Sequence, residues 1–326
     1  LDEDGKGVSH SAGRQSKEIF PEGEPFFLSV QHLDTLKSQF TERHAHTKQC
    51  ASGRGARALA EGEFHSASAI NTVVTGLVPQ ALGWGEYHHA EDSSHVFFFL
   101  GDFHDMDLST APDPVDFAGQ IAEMHGKGTS PNGMFGFHVP TVIGIMERTV
   151  TWEKSWAKSF THQLKIVIKY DNGTNGPWPE YDAACRQLID VVIPRLLGAL
   201  QADGRETRPA LVHGDLWEQN VGTDMATGQT VVFEPGCTYA HNEMEFGTWR
   251  CSWAFFFNSP VYMRAYQRHI EPSEPVEEWD DRSRLYSIHP YLTDSAGHPG
   301  SPSRQMCVFA ALPFPSSDRV VKENHC

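Results

Sequence analysis

The stretch Leu211-Val-His-Gly-Asp-Leu-Trp-Glu-Gln-Asn220 carries a carboxylate, Asp215, and an amide, Asn220, five residues apart. A second carboxylate, Glu234, follows inside Val231-Val-Phe-Glu-Pro235. Between them Thr223 to Thr230, with Gly228 near its end, supplies a turn, so the segment reads as a loop closed by a short hairpin. The interval from Asp to Asn, with an acid on a following strand, is the one used for phosphoryl transfer in the motif H-R-D-L-x-x-x-N. The chemistry dictates it. An Asp accepts the proton of the attacking hydroxyl, while the Asn and the later acid hold magnesium against nucleotide phosphates. Asp215 is therefore the candidate base, and Asn220 and Glu234 are the candidate metal ligands. His213-Gly-Asp215 alone would carry little weight, because Asp also bonds its own backbone in ordinary turns. Trp217, Asn220 and the downstream strand supply the specificity.

Other elements must bring these groups together. Pro25-Phe-Phe-Leu-Ser-Val30 reads as a strand. Before it, Gly7-Val-Ser-His-Ser-Ala-Gly13 fits either a glycine-rich loop over phosphates or a polar leader. Arg54 to Val74 reads as a helix with the stripe Ala56, Leu59, Ala60, Phe64, Ala67 and Ile70, and it carries Glu63. In kinases a Glu on such a helix pairs with a strand Lys, although a lone helix Glu is more commonly solvated. Ser94 to Asp102, with Phe97-Phe-Phe99, has the composition of a strand buried on both faces. Gly101-Asp-Phe-His-Asp-Met106 then stands where two lobes would meet. Asp113-Pro114 starts a helix with the stripe Phe117, Ile121 and Met124. Thr151 to Ile168 and Pro179 to Leu200 read as further helices, with a kink or break expected at Pro194. Glu243 and Glu245 either order the catalytic loop, touch substrate cations or belong to a solvated loop. Another helix opens at Asp280, and periodicity is lost from Met306. The pattern is α+β, a small sheet-containing lobe followed by a larger helical one.

The 326 residues suffice for one large or two modest domains, with 39% hydrophobic and 21% charged residues. A net charge of −16 without a Lys/Arg-rich run argues against nucleic acid or an anionic membrane as partner. No stretch reaches the 18 apolar residues of a transmembrane span. The six cysteines form no C-x-x-C pair, as expected of reduced thiols in the cytoplasm. The 18 histidines include no H-E-x-x-H or comparable ligand pair.

Beyond the catalytic loop, several short pieces form a set: Glu61-Gly-Glu-Phe64, Asp102-Phe-His-Asp-Met106, Ser130-Pro-Asn-Gly133, Phe135-Gly-Phe-His138, Tyr239-Ala-His-Asn-Glu243 and Asp280-Asp-Arg282. With His213-Gly-Asp-Leu-Trp217 and Asn220 they make the chain resemble the fructosamine/ketosamine-3-kinase family, especially its fungal ribulosamine-3-kinase-like members, from about Gly53 to about Gln305. The resemblance implies a protein-kinase-like two-lobe fold of the aminoglycoside-phosphotransferase kind. It also implies transfer of the ATP γ-phosphate, with Mg2+, to the 3-hydroxyl of a ketosamine on a glycated protein lysine or a small amine. The product would be unstable and fall off, so the activity would repair glycation.

By resemblance Asp215 is the base, Asn220 a magnesium ligand, and Trp217, with His213, a substrate contact. Glu63 is the partner of a phosphate-binding Lys, and Asp102 and Phe103 contact the nucleotide at the hinge. The expected division is an N-lobe over 1–101, a C-lobe over 102–305 and a poorly packed tail over 306–326. Two departures stand out. Glu234 occupies the place of the family's Asp, and Phe27-Leu28 is followed by Ser29 where the family has Lys. Lys48, 15 residues before Glu63, offers a second register that makes residues 29–47 an insertion. These departures support an alternative reading, a catalytically impaired pseudokinase that binds a ketosamine, nucleotide or protein partner.

Overall fold

A computed structural model describes residues 46–53, 55–88, 95–148 and 151–311. The expected glycine-rich segment, the strand over 25–30 and nearly all of the expected insertion lie outside these residues. Three strands, β1 (His46–Ser52), β2 (Ala81–His88) and β3 (His95–Asp102), make an antiparallel sheet in the order β1-β3-β2. The Phe run behaves as its composition demands. It lies on the central strand, and Phe98 and Phe99 are 4% and 7% exposed. Helix α1 (Ala56–Val73) packs on all three strands. Lys48 lies on β1, paired with Leu100, so a strand does hold this lysine before the Glu63 helix.

The chain leaves the sheet at Asp102 and enters β4 (Met106–Asp107), which pairs with β8 (Val221–Asp224). β9 (Thr230–Val232) completes that second sheet. The hairpin turn forms as the sequence suggests. The Asp224 carboxylate accepts from the N–H groups of Ala226 and Thr227 at 2.9 and 2.8 Å. β7 (Ala210–Val212) and β10 (Thr238–Ala240) form a second ladder beside the loop, and the hairpin β5 (Val142–Ile143) with β6 (Met146–Glu147) lies across the cleft.

Helix α2 (Pro114–Lys127) begins with the expected cap: Asp113 Oδ1 accepts from the N–H of Val115 and Asp116 at 2.9 and 3.0 Å. Its stripe Phe117, Ile121 and Met124 is wholly buried. Helix α3 runs over Trp156–Asn175, later at both ends than expected, because the Ser155 hydroxyl accepts from the Lys158 N–H and caps it there. At Pro194 the chain stays helical, but the turn before it departs from α geometry. Helix α4 (Pro179–Gln187) passes through a π turn at Leu188–Val192 into α5 (Ile193–Gly198), and the wider turn accommodates the ring and the missing N–H. Helix α6 spans Pro260–Gln267 and α7 spans Trp279–Gly297. Helix α8 (Ser303–Ala311) includes the first six residues of the expected tail, because it packs on α4 and α7. Among the described residues no helix is long and apolar enough to cross a membrane.

Two clusters hold the molecule together. One joins α3, α4 and α7 around Trp156, Phe160 and Tyr286. The other crosses from Ile70 of α1 and Phe99 of β3 to Leu216 and Val232, so the lobes share one core. A backbone bond from the Val232 N–H to the Leu77 carbonyl, 2.8 Å, ties the strand before Glu234 to the end of the small lobe. In this second cluster Phe117 stacks on Phe257 at 5.2 Å. Phe117→Ala is expected to lower the unfolding free energy by about 3–5 kcal/mol through lost burial and a residual cavity, read as a reduced urea midpoint at unchanged slope.

Candidate active site

The loop after β7 is fastened from behind. The Glu245 carboxylate accepts from the N–H of His213 at 2.5 Å and of Gly214 at 2.9 Å. Trp249 Nε1 donates to the Leu216 carbonyl at 3.1 Å. Glu218 Oε1 accepts from three successive N–H groups, Phe255 to Phe257, at 2.8, 3.0 and 3.0 Å. Gly214 has φ +86° and faces the Gly236 carbonyl so closely that a Cβ would collide with it. No other residue fits this turn. Of the readings open for the two acids, loop ordering holds for Glu245. Glu243 instead grips Arg282 at 2.7 and 2.9 Å.

Burial alone would push the Glu245 carboxyl up, but the His125 ring at 3.3 Å, with His213 and the Gly214 N–H, holds it below the usual range. His213 is fully buried, and burial pushes its pKa down, so the ring is neutral. Its Nε2 donates to the Phe233 carbonyl at 3.0 Å and its Nδ1 accepts from the Asp215 N–H at 3.3 Å. Both ring nitrogens are thus committed to backbone, and His213 braces the loop instead of contacting substrate.

The three groups named from sequence converge. Asp215, Asn220 and Glu234, with Glu63 and Trp217, line one cavity of 480 Å³. Asn220 Nδ2 donates to Asp215 Oδ2 at 3.1 Å and to the Asp215 carbonyl at 2.9 Å. Burial lifts Asp215 to about 6. The Arg148 guanidinium and the Asn220 amide pull against that rise, and the charges of Glu234 and Glu245 add to it. Burial and then Glu234 lift Glu63 to about 8. Glu234 adopts φ +56°, a backbone state disfavoured for a residue with a side chain and often found at functional sites.

Arg148 was not singled out from the sequence. It follows β6 as an isolated cation with no motif to mark it, and only the fold brings it behind the loop. Its guanidinium donates to the carbonyls of Gly236 and, at 3.4 Å, Gly214. Burial lowers it to about 10, and the Asp215 carboxylate opposes that shift.

A second cavity of 510 Å³ shares Gly144, Asp215 and Trp217 with the first. Its walls are largely apolar and aromatic, including Ile143, Met244, Trp253 and Tyr286. Asp215 therefore stands between an acidic chamber and an aromatic one. Asp102 and Phe103 line neither. The Asp102 carboxylate instead accepts from the Gln80 N–H at 2.5 Å and lies 3.4 Å from His104 Nε2, so it shapes the hinge.

The acidic chamber suits magnesium. Asn220 Oδ1 and the Glu234 carboxylate accept no hydrogen bond from any described residue and lie on one wall. Among the described residues no three acidic, His or Cys groups converge as a ready-made cage. Two hard oxygen donors and open space match an ion that keeps several water or phosphate ligands.

Fold and site together define a two-lobed α+β architecture of the phosphotransferase kind. A family model for fructosamine kinase matches residues 34–301, and the chain belongs to that family. It is 32% identical over 174 residues to the chloroplastic protein-ribulosamine 3-kinase of Oryza sativa subsp. japonica, covering 53% of this chain and 46% of that one. To the Arabidopsis thaliana protein of the same description it is 28% identical over 236 residues, 72% of this chain and 66% of that one. The chain thus spans about half the length of the rice relative and two thirds of the Arabidopsis one. To the ketosamine-3-kinase of Mus musculus it is 27% identical, covering 73% of this chain and 77% of that one. The fold matches a fructosamine-3-kinase candidate from Haemophilus somnus at TM-score 0.63 and 17% identity, over 83% of this chain and 84% of that one. It also matches aminoglycoside phosphotransferase APH(4)-Ia at TM-score 0.53 and 16% identity, over 82% and 87%.

Because the Glu245 carboxyl lies below its usual pKa, its contribution is present at neutral pH and is lost as pH falls through the folded value. Glu245→Ala should cost about 1–3 kcal/mol for each amide left unpaired, and the variant should lose less stability on acidification than the parent. Urea midpoints from neutral pH downward test both. Amide exchange at His213 and Gly214 should quicken; unchanged exchange there would show that the loop does not hang on this carboxylate.

Proposed function

We propose that the chain is an ATP- and magnesium-dependent kinase that phosphorylates the 3-hydroxyl of ketosamines, ribulosamine or fructosamine, on glycated protein lysines or small amines. The observation that carries this reading is the place of Asp215, shared by a chamber of oxygen donors and a chamber of aromatic walls. The nucleotide phosphates belong on the first side, where Asn220 Oδ1 and Glu234 would hold magnesium, and Glu63, with Lys48 on the neighbouring strand, would orient them. The acceptor belongs on the second, against Trp217. When bound, magnesium supplies the positive charge that offsets the phosphates and the acidic wall.

The protein side of the reaction follows from the hydrogen bonds. Asn220 occupies Asp215 Oδ2, while Oδ1 accepts no hydrogen bond from any described residue. Oδ1 is thus the atom that takes the hydroxyl proton. Arg148 acts through Asp215, keeping enough of it ionised at neutral pH. Relatives described as ribulosamine and ketosamine 3-kinases support the choice of acceptor.

Turnover of ribulosyl-lysine with ATP should fall as pH drops through about 6, since the base must be ionised. Arg148→Met should move that limb to higher pH, because it removes the charge that opposes the rise. Asp215→Asn should reduce kcat by about 10²–10⁴-fold. A parent that binds ribulosyl-lysine but transfers no phosphate with saturating magnesium would be a binding protein instead. Chelation should abolish turnover, and Glu234→Ala should raise the magnesium concentration for half-maximal rate about tenfold or more. An unaltered magnesium dependence would remove Glu234 from the ligand set.

A further inference from the structure

The far wall of the aromatic cavity is one face of α7, presenting His289, Pro290, Thr293 and Asp294 at helical spacing. Two of these side chains have partners within the protein. Asp294 Oδ2 accepts from the hydroxyls of Ser301 and Ser303, each at 2.6 Å. The Thr293 hydroxyl donates to the His289 carbonyl at 3.0 Å. The His289 imidazole is different. It is 6% exposed, packs its ring against Phe160, lines the cavity with Asp215 and a small one beside Arg148, and makes no hydrogen bond or ion pair with any described residue. A nearly buried polar ring that finds no hydrogen-bond partner within the protein can take one from whatever fills the cavity.

We propose that His289 is a specificity-determining substrate contact, its imidazole hydrogen-bonding one hydroxyl of the acceptor sugar so that a different hydroxyl faces Asp215. Burial, and then the Arg148 guanidinium, push the imidazole down to about 3, so the ring stays neutral at working pH. A neutral imidazole offers one donor and one acceptor nitrogen. A sugar hydroxyl, which donates and accepts, is matched by either. An ammonium would find only the acceptor, and a carboxylate only the donor. The aromatic walls beside it suit the apolar faces of a sugar or the stem of its amine. The assignment rests on the aromatic cavity being the acceptor side.

The test is calorimetric binding and steady-state kinetics on the full chain, with ribulosyl-lysine and analogues that each lack one hydroxyl. His289→Phe should weaken ribulosyl-lysine binding about 10–100-fold and leave the KM for ATP within twofold. His289→Gln should recover part of the loss. One analogue should bind the parent weakly yet suffer no added loss in His289→Phe, because sugar and side chain share one interaction. Equal binding of every analogue by the parent overturns the proposal, whether or not the variants fold. So does a cooperatively folded His289→Phe with the parent's affinity. A parent that binds ribulosyl-lysine and discriminates through His289 without turnover keeps the contact and sinks the kinase reading. A parent that binds no ribulosyl-lysine overturns both.

Discussion

A single carboxylate, Glu245, sets the geometry on which the site depends. Two backbone amides of the catalytic loop end on it. The loop cannot take these bonds from a strand, since β7 ends at Val212 and Gly214 turns the chain in a left-handed state. Charge-assisted bonds to backbone N–H are among the stronger ones available, and here the one from His213 is buried and the one from Gly214 partly so. His125 completes the shell, and the Tyr266 hydroxyl at 2.8 Å fixes that ring in turn. The rigidity reaches Asp215 mainly through backbone, and of its two carboxylate oxygens only Oδ2 is engaged, by the Asn220 amide.

The cost of this arrangement is electrostatic. Glu63, Asp215 and Glu234 face one chamber, and the first two are lifted well above ordinary carboxyl values. Mutual repulsion and burial disfavour their ionised forms, and a divalent cation relieves both effects. Arg148 supplies a fixed part of that relief from behind the loop, where it does not occupy the chamber.

Much of this was legible from local chemistry. The Asp215 to Asn220 interval, the hairpin that returns Glu234, the Asp113 cap and the buried Phe run follow from rules acting within a few residues, and the structure keeps them. The failures share a cause. His213 reads as a substrate contact because its neighbours are catalytic, but the Phe233 carbonyl that claims its ring lies 20 residues away. Pro194 reads as a kink or break, and its absorption by a π turn leaves no mark in the residue pattern. Arg148 and His289 are invisible in one dimension, since burial and convergence on Asp215 exist only once the lobes pack. Asp102 ends β3, and its carboxylate turns to the Gln80 amide, a partner 22 residues away.

The bond between Val232 and Leu77 couples two parts of the molecule that the sequence keeps far apart. The strand leading to Glu234 is thus held from two sides, by its pairing with β8 and by this bond to the small lobe, whereas Asp215 is fastened within the large lobe through Glu245. Backbone bonds on either side of the cleft therefore keep the proposed ion-holding carboxylate at a set span from the proposed base.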